Sequence, residues 1–256
     1  LNLIINNIEF DHADIFNNID DIKKQFHHLL KIIPKSGNLI YFKEDQNTSD
    51  VIKSGLWCNE IVIGSNEIEI DLNQKNLIVD TKKYSLKDLP LPGEHNFKNY
   101  VCAILAAKKG GISIEKSIDS LKKFKGVKRR MDLVAEVSDT LIYDDFAHHP
   151  TAIKMSTESI REKYPEKKIL GIVELGSNTM SSGYHKDSLI KSFGALDETL
   201  LLDHNKVYEY SNGFDSEKEM IDHIKTKIVK YDIILIMTNK DSQKFIKPIL
   251  ENFENK

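Results

Sequence analysis

The sequence is poor in the features that mark several protein classes. Its 256 residues hold two cysteines, Cys58 and Cys102, in apolar surroundings and with no spacing that suggests a pairing framework or a zinc site. Two free, buried thiols in a reducing cytoplasm are therefore expected. No apolar run approaches the ~20 residues of a membrane-spanning helix, and no signal peptide is visible. A net charge of -3 provides no basic excess for general nucleic-acid binding. No Ser-His-Asp order is present, and the absence of a G-x-G-x-x-G turn argues against a nicotinamide-dependent dehydrogenase. There is no internal repeat and no low-complexity segment. The single tryptophan, Trp57, is expected in the core.

What is present is an ordinary globular composition, 40% hydrophobic and 29% charged. A chain of this size can bury roughly 70–75% of its unfolded surface without disulfides or metal. It opens on Leu1-Asn2-Leu3-Ile4-Ile5. This reads as a buried parallel strand already under way, so a fragment lacking its N-terminal part is expected. Ile19, Ile22, Phe26, Leu29, Leu30 and Ile33 then recur at helical spacing. Strands are expected at Asn38 to Lys43 and Glu60 to Gly64, with a weaker helix from Thr48 to Gly55. Alternation predicts a hairpin from Glu67 to Asp71 and Asn76 to Thr81. Helices are expected from about Asn96 to Lys109, closed by Gly110-Gly111, and from Ile114 to Phe124. His27 and His28 read as structural or surface residues.

Gly126 marks a change of texture and a domain boundary. Beyond it strands are expected at Asp132 to Val137, Thr140 to Asp144, Lys168 to Glu174, Glu198 to Leu202 and Asp232 to Thr238. Helices are expected at Pro150 to Lys163, His185 to Phe193, Ser216 to Lys227 and Ser242 to Phe253. Strand and helix in turn predict a mostly parallel sheet covered on both faces, a doubly wound α/β domain.

Five clusters carry chemistry. Asn7-Ile8-Glu9-Phe10-Asp11-His12-Ala13-Asp14 follows an apolar strand and offers carboxylates and an imidazole to Mg²⁺, or else forms an acidic helix-capping loop. Asn96 and Asn99 share one face of a helix's first turn; their amides suit an adenine edge, or one caps the helix while the other is solvated. Arg129-Arg130 ends a basic run and offers bidentate phosphate contacts, or is a solvated face. Asp144-Asp145-Phe146-Ala147-His148-His149-Pro150-Thr151 sets four ionisable residues where a strand gives way to a helix, with Pro150 suited to the first helical position. Gly176 to Lys186 is a strand-end loop that is either a site or a flexible Ser/Gly linker.

Taken in order, these pieces resemble the Mur ligase family. The resemblance implies an incomplete central ATP-binding domain over residues 1–126, followed by a Rossmann-like C-terminal domain over 127–256. It implies ATP and Mg²⁺ as cofactors. His12 would ligate the metal, and Asn96 and Asn99 would hold adenine. Arg130 would steady phosphate charge, and Asp145 would contact the nucleotide. His148 and His149 would be catalytic, lining the acceptor pocket. Phe146, His148, Ser177, Asn178 and His185 would bind the peptide substrate. The motif details favour the family member that joins L-alanyl-γ-D-glutamyl-meso-diaminopimelate to UDP-N-acetylmuramate in peptidoglycan recycling, a cytoplasmic reaction. The alternatives are the L-alanine-adding ligase and a non-catalytic ligase-like binding protein. The family's phosphate-binding Gly-Lys-Thr/Ser turn appears nowhere in the sequence. Glu174-Leu175-Gly176 stands where Glu-Pro-Arg is usual, and Lys240-Asp241-Ser242-Gln243-Lys244 replaces a Gly-rich loop.

Overall fold

The computed structural model describes residues 1–176 and 178–254, without the side chains of Asn178 and Val229. The chain divides into two compact units, Leu1–Lys125 and Gly126–Lys256.

The first unit is built on a three-stranded parallel sheet, β1 (Asn2–Ile5), β2 (Asn38–Phe42) and β3 (Asn59–Ile63), in that order. Side chains alternate across a strand, so β2 feeds two cores. Leu39 and Tyr41 pack with Ile22 and Leu30 of α1 (Ile19–Lys31) and Val51 of α2 (Gln46–Lys53). Ile40 and Phe42 pack with Phe97, Val101, Ile104 and Leu105 of α3 (Glu94–Lys109) and Ile114 of α4 (Ile114–Leu121). The same core takes Leu77 and Val79 from an antiparallel sheet, β4 (Ile68–Asp71), β5 (Asn76–Val79) and β6 (Lys82–Ser85). The first two of these strands are the expected hairpin; β6 was not anticipated.

Each helix of this unit is closed by local chemistry. Asn18, not the acidic residues before it, caps α1, its side chain accepting from the Asp20 and Asp21 N–H groups. Asp45 caps α2 and Ser113 caps α4 in the same manner. At α3 the N-cap is Gly93, whose φ of 93° lies in the region that favours glycine.

Trp57 corrects its sequence expectation. It is 43% exposed, tilted against His27 with ring centroids 5.5 Å apart. Its ring edge lies against Gly55, where a Cβ would stand 3.0 Å from the ring. Trp57 sits in the loop between α2 and β3, where a large ring is only partly covered. Cys58 is likewise half-buried, whereas Cys102 is buried, and both are free thiols.

The second unit is a six-stranded sheet in the order β11-β10-β9-β12-β8-β7. The strands are β7 (Asp132–Val137), β8 (Thr140–Asp145), β9 (Ile169–Glu174), β10 (Glu198–Leu202), β11 (Gly213–Phe214) and β12 (Ile233–Met237). Only the β7–β8 pair is antiparallel. Tyr143, Ile169, Val173, Leu235 and Met237 face α5 (Pro150–Lys163) and α7 (Lys186–Lys191), which follows the one-turn α6 (Asn178–Ser181). Ile142, Leu170, Ile172, Ile234 and Ile236 face α8 (Glu217–Lys227) and α9 (Gln243–Glu254). Near-continuous apolar runs such as Ile233-Ile234-Leu235-Ile236-Met237 are what a strand covered on both faces requires. The unit is the expected doubly wound α/β domain. Its central parallel strands β8, β12 and β9 end side by side, and that edge carries most of the polar groups of interest. Among the described residues no helix is long and apolar enough to cross a membrane.

Candidate functional site

In the first unit, the loop leaving β1 meets the start of α3. Asn6 donates from its side-chain amide to Oδ1 of Asn99 at 2.7 Å, and the Cys102 thiol donates to Oδ1 of Asn6 at 3.2 Å. Asn99 is thus tied to the strand end rather than merely solvated. Asn96 does not cap α3; its Nδ2 donates to the Pro92 carbonyl at 2.7 Å. Burial pushes the Cys102 thiol up to about 12, so it packs as a hydrophobe.

His12 sits on the same loop, with a left-handed φ of 56°. Its carbonyl accepts from the Ile15 and Phe16 N–H groups at 2.8 and 2.9 Å. Its side chain is 67% exposed, with Nε2 3.9 Å from Oδ2 of Asp11. Among the described residues no group of three or more His, Cys, Asp or Glu is placed to hold a metal. A Mg²⁺ ion carried largely by phosphate and water needs only one or two protein donors. An exposed imidazole beside a carboxylate meets that lesser requirement.

In the second unit, Asp144 and Asp145 end β8 and are each 3% exposed. Asp145 accepts from the Ala147 N–H at 2.7 Å and the Met131 N–H at 2.8 Å. Burial raises its carboxyl above the usual range, against the opposing pull of those N–H groups and of the Arg130 charge. Oδ2 of Asp144 accepts from Nε of Arg129 at 3.2 Å and from the Ser242 hydroxyl at 2.7 Å. Nη2 of Arg129 donates to the Thr238 carbonyl at 2.7 Å, at the end of β12.

The two guanidinium groups converge on one ring. Arg129 lies 5.3 Å and Arg130 5.5 Å from the Phe146 centroid. Contacts of that length to an aromatic face are attractive. The backbone is pinned on both sides of Arg130: the Phe146 N–H donates to the Arg129 carbonyl at 2.8 Å, and Met131 is held by Asp145. Arg129 and Met131 both have positive φ, 57° and 52°. Such strain persists only where surrounding bonds hold it.

The histidines fall in two places. Nδ1 of His148 is 2.9 Å from the Phe146 carbonyl. A carbonyl only accepts, so Nδ1 carries the proton and the neutral ring has its lone pair on Nε2. His149 is the N-cap residue of α5, with Pro150 in the first turn, as expected. Its ring meets His185, 36 residues along the chain, with centroids 4.6 Å apart. Tyr184 flanks His185 at 4.9 Å. Ser177 and the side chain of Asn178 fall outside the described residues.

Several contacts at this strand edge join residues far apart in the sequence. Glu174, 2% exposed, accepts from the Thr238 hydroxyl at 2.6 Å and from Lys244 at 2.6 Å, and Lys244 also reaches Glu217 at 3.0 Å. Burial penalises the Lys244 ammonium, but its two carboxylates outweigh this and raise its pKa. A Cβ on Gly176 would stand 1.8 Å from Oδ1 of Asn239 and 3.1 Å from Cγ of Lys240. The two departures from the family pattern are therefore neighbours in space. Asn239 and Lys240 occupy the place that a side chain at 176 would need.

This chain belongs to the Mur ligase family. Residues 3–107 match the Mur ligase middle domain, and residues 129–240 match the Mur ligase glutamate ligase domain. It is similar to the UDP-N-acetylmuramate–L-alanyl-γ-D-glutamyl-meso-2,6-diaminoheptandioate ligase of Escherichia coli, 37% identical over 207 residues, covering 78% of this chain and 45% of that protein. The protein of the same name from Haemophilus influenzae is 32% identical over 255 residues, covering 93% of this chain and 56% of its own length. The structure of a murein peptide ligase from Psychrobacter arcticus superimposes with a TM-score of 0.72 at 28% identity, covering all of this chain and 58% of that one. The chain thus spans about half the length of the relatives it matches.

Proposed function

We propose that this chain forms the adenine-holding and acceptor-side portion of an ATP-dependent ligase. The enzyme joins L-alanyl-γ-D-glutamyl-meso-diaminopimelate to UDP-N-acetylmuramate, in the cytoplasm, during peptidoglycan recycling. A phosphate-binding Gly-Lys-Thr/Ser turn, absent from these 256 residues, is supplied by a segment outside them. The observation that carries the reading is the gathering of Arg129 and Arg130 over Phe146 at the carboxyl end of β8. An exposed cation on a pinned turn, beside a second guanidinium that is tied to the protein, suits phosphoryl transfer, where charge neutralisation and positioning matter more than a protein nucleophile. Similarity to ligases of the named activity supports the choice of substrates.

In this reading ATP's γ-phosphoryl passes to the lactyl carboxylate of UDP-N-acetylmuramate. The peptide amine attacks the acyl phosphate, and inorganic phosphate leaves. Arg130 steadies the charge on the transferred group. His148, with a lone pair on Nε2, is suited to take the proton from the attacking amine. His149, His185 and Phe146 line the acceptor side; Ser177 and Asn178 are assigned to the peptide by the family resemblance alone. Asn96 keeps its amide oxygen for the adenine amino group, and Asn99 completes that edge. His12 holds Mg²⁺, which when bound neutralises phosphate charge. Asp145, buried and already accepting two N–H groups, serves the nucleotide by fixing the turn that carries Arg130.

The test is ADP release by the whole protein with UDP-N-acetylmuramate and either the tripeptide or free L-alanine. Turnover with the tripeptide is expected. Turnover with L-alanine alone would move the assignment to the alanine-adding member of the family. No turnover with either, despite nucleotide binding, would make it a non-catalytic relative.

A further inference from the structure

We propose that Arg129 is a positioning residue whose task is to aim Arg130, and that it does so by tying two adjacent parallel strands to the turn before β7 that carries both arginines. The inference rests on the phosphate role proposed for Arg130 and goes beyond it. One guanidinium spans two strand ends. Its Nε bonds Asp144 at the end of β8 at 3.2 Å, and its Nη2 bonds the Thr238 carbonyl just past β12 at 2.7 Å. Asp144 is fixed in turn by the Ser242 hydroxyl at 2.7 Å, in the segment leading into α9. Its other oxygen, Oδ1, is buried with no hydrogen-bond partner, so the guanidinium is the one cation paired with that carboxylate among the described residues. The backbone carries the constraint onward. The Arg129 carbonyl receives the Phe146 N–H, and Phe146 is the ring beneath both guanidinium groups. Arg130 is exposed, yet it follows an anchored residue and precedes one held by Asp145. The arrangement separates the two arginines by role. Arg129 is spent on protein groups, and Arg130 is left for a ligand. A lysine cannot replace Arg129, because a single ammonium does not reproduce a planar fork directed at a carboxylate and a carbonyl.

The experiment is a double-mutant cycle in the whole protein, with kcat, the KM for ATP and the thermal midpoint recorded for Arg130→Ala, Arg129→Ala, Arg129→Lys and the Arg129→Ala/Arg130→Ala pair. Misaiming a catalytic group by about 1 Å costs about 100-fold, so Arg129→Ala is expected to approach the kcat loss of Arg130→Ala. The pair is expected to stay within about threefold of Arg130→Ala alone, because a residue with nothing left to aim has no further effect. Arg129→Lys keeps the charge and covers the case in which the alanine variant fails to fold. It is expected to hold the midpoint near wild type and still to lose about tenfold in kcat, with the KM for ATP little changed. Losses that multiply in the pair, or full turnover in Arg129→Lys, overturn the positioning role while leaving the phosphate role of Arg130 intact. Near-normal kcat in Arg130→Ala removes that phosphate role, and the positioning role with it.

Discussion

Two loops leave parallel strands carrying nearly the same letters, and the fold treats them in opposite ways. The loop after β1 holds Glu9, Asp11, His12 and Asp14; the end of β8 and the loop after it hold Asp144, Asp145, His148 and His149. In the first, His12 stands in solvent on a left-handed turn. In the second, both carboxylates are buried and bonded to three separate segments: the turn before β7, the loop leading into α5, and the approach to α9. Composition alone makes both look like sites. Burial decides which acids hold the protein together and which groups stay available to a ligand.

The largest expected effect follows from that contrast. Asp144→Ala strands the Arg129 guanidinium beside the Ser242 hydroxyl. Breaking a buried pair by removing one partner costs about 3–5 kcal/mol, read as a lower urea midpoint. Asp11→Ala, in the other loop, is expected to stay within about 0.5 kcal/mol of wild type. Equal losses at the two positions would erase the distinction. Gly176→Ala comes next. Its Cβ overlaps the Asn239 amide, and overpacking costs about 1–3 kcal/mol. Adding Asn239→Gly is expected to restore most of the loss, since the neighbour that must move is then gone.

How much of this was legible in the sequence varies with the range of the interaction. The Pro150 helix start, the αβ alternation and the β4–β5 hairpin are local patterns, and each was readable. The strand β6, Lys82-Lys83-Tyr84-Ser85, is polar and mostly exposed, so no alternation betrayed it; it is held by backbone pairing to β5. The two-residue β11 is too short for any pattern. At the site, the His-His-Pro-Thr loop was visible because its chemistry is contiguous. The role of Arg129 was not, because its partner carbonyl at Thr238 lies 109 residues away. The coupling of Gly176 to Asn239 was hidden for the same reason, although Gly176 and the neighbouring Lys240 loop each stand alone as departures from the family pattern.

Smaller effects sharpen the comparison. Asn18→Ala removes the side chain that caps α1 and is expected to cost about 1 kcal/mol in thermal unfolding, with no change in nucleotide affinity. The two thiols should label at different rates. Cys102, raised to about 12 by burial, is expected to resist iodoacetamide at pH 8 in the folded protein, and half-buried Cys58 to react first by mass spectrometry. The pH dependence of the β8 loop has a definite sign. Burial holds the folded Asp145 pKa above the ordinary 3.8, so its protonated form is favoured in the fold. Its contribution is therefore fully present below that ordinary value and declines as pH rises through the folded pKa. Carboxyl NMR titration is expected to place Asp145 above 3.8, and a midpoint below it would show that the N–H donors and Arg130 outweigh burial.

In the proposed reaction the lactyl carboxylate is activated by phosphorylation before the peptide amine attacks. The direct measurement uses UDP-N-acetylmuramate labelled with ¹⁸O in that carboxylate, the tripeptide, ATP and the whole protein, followed by mass analysis of the inorganic phosphate. Phosphate carrying one label per amide bond formed is the predicted result. Amide formation with unlabelled phosphate would contradict the account.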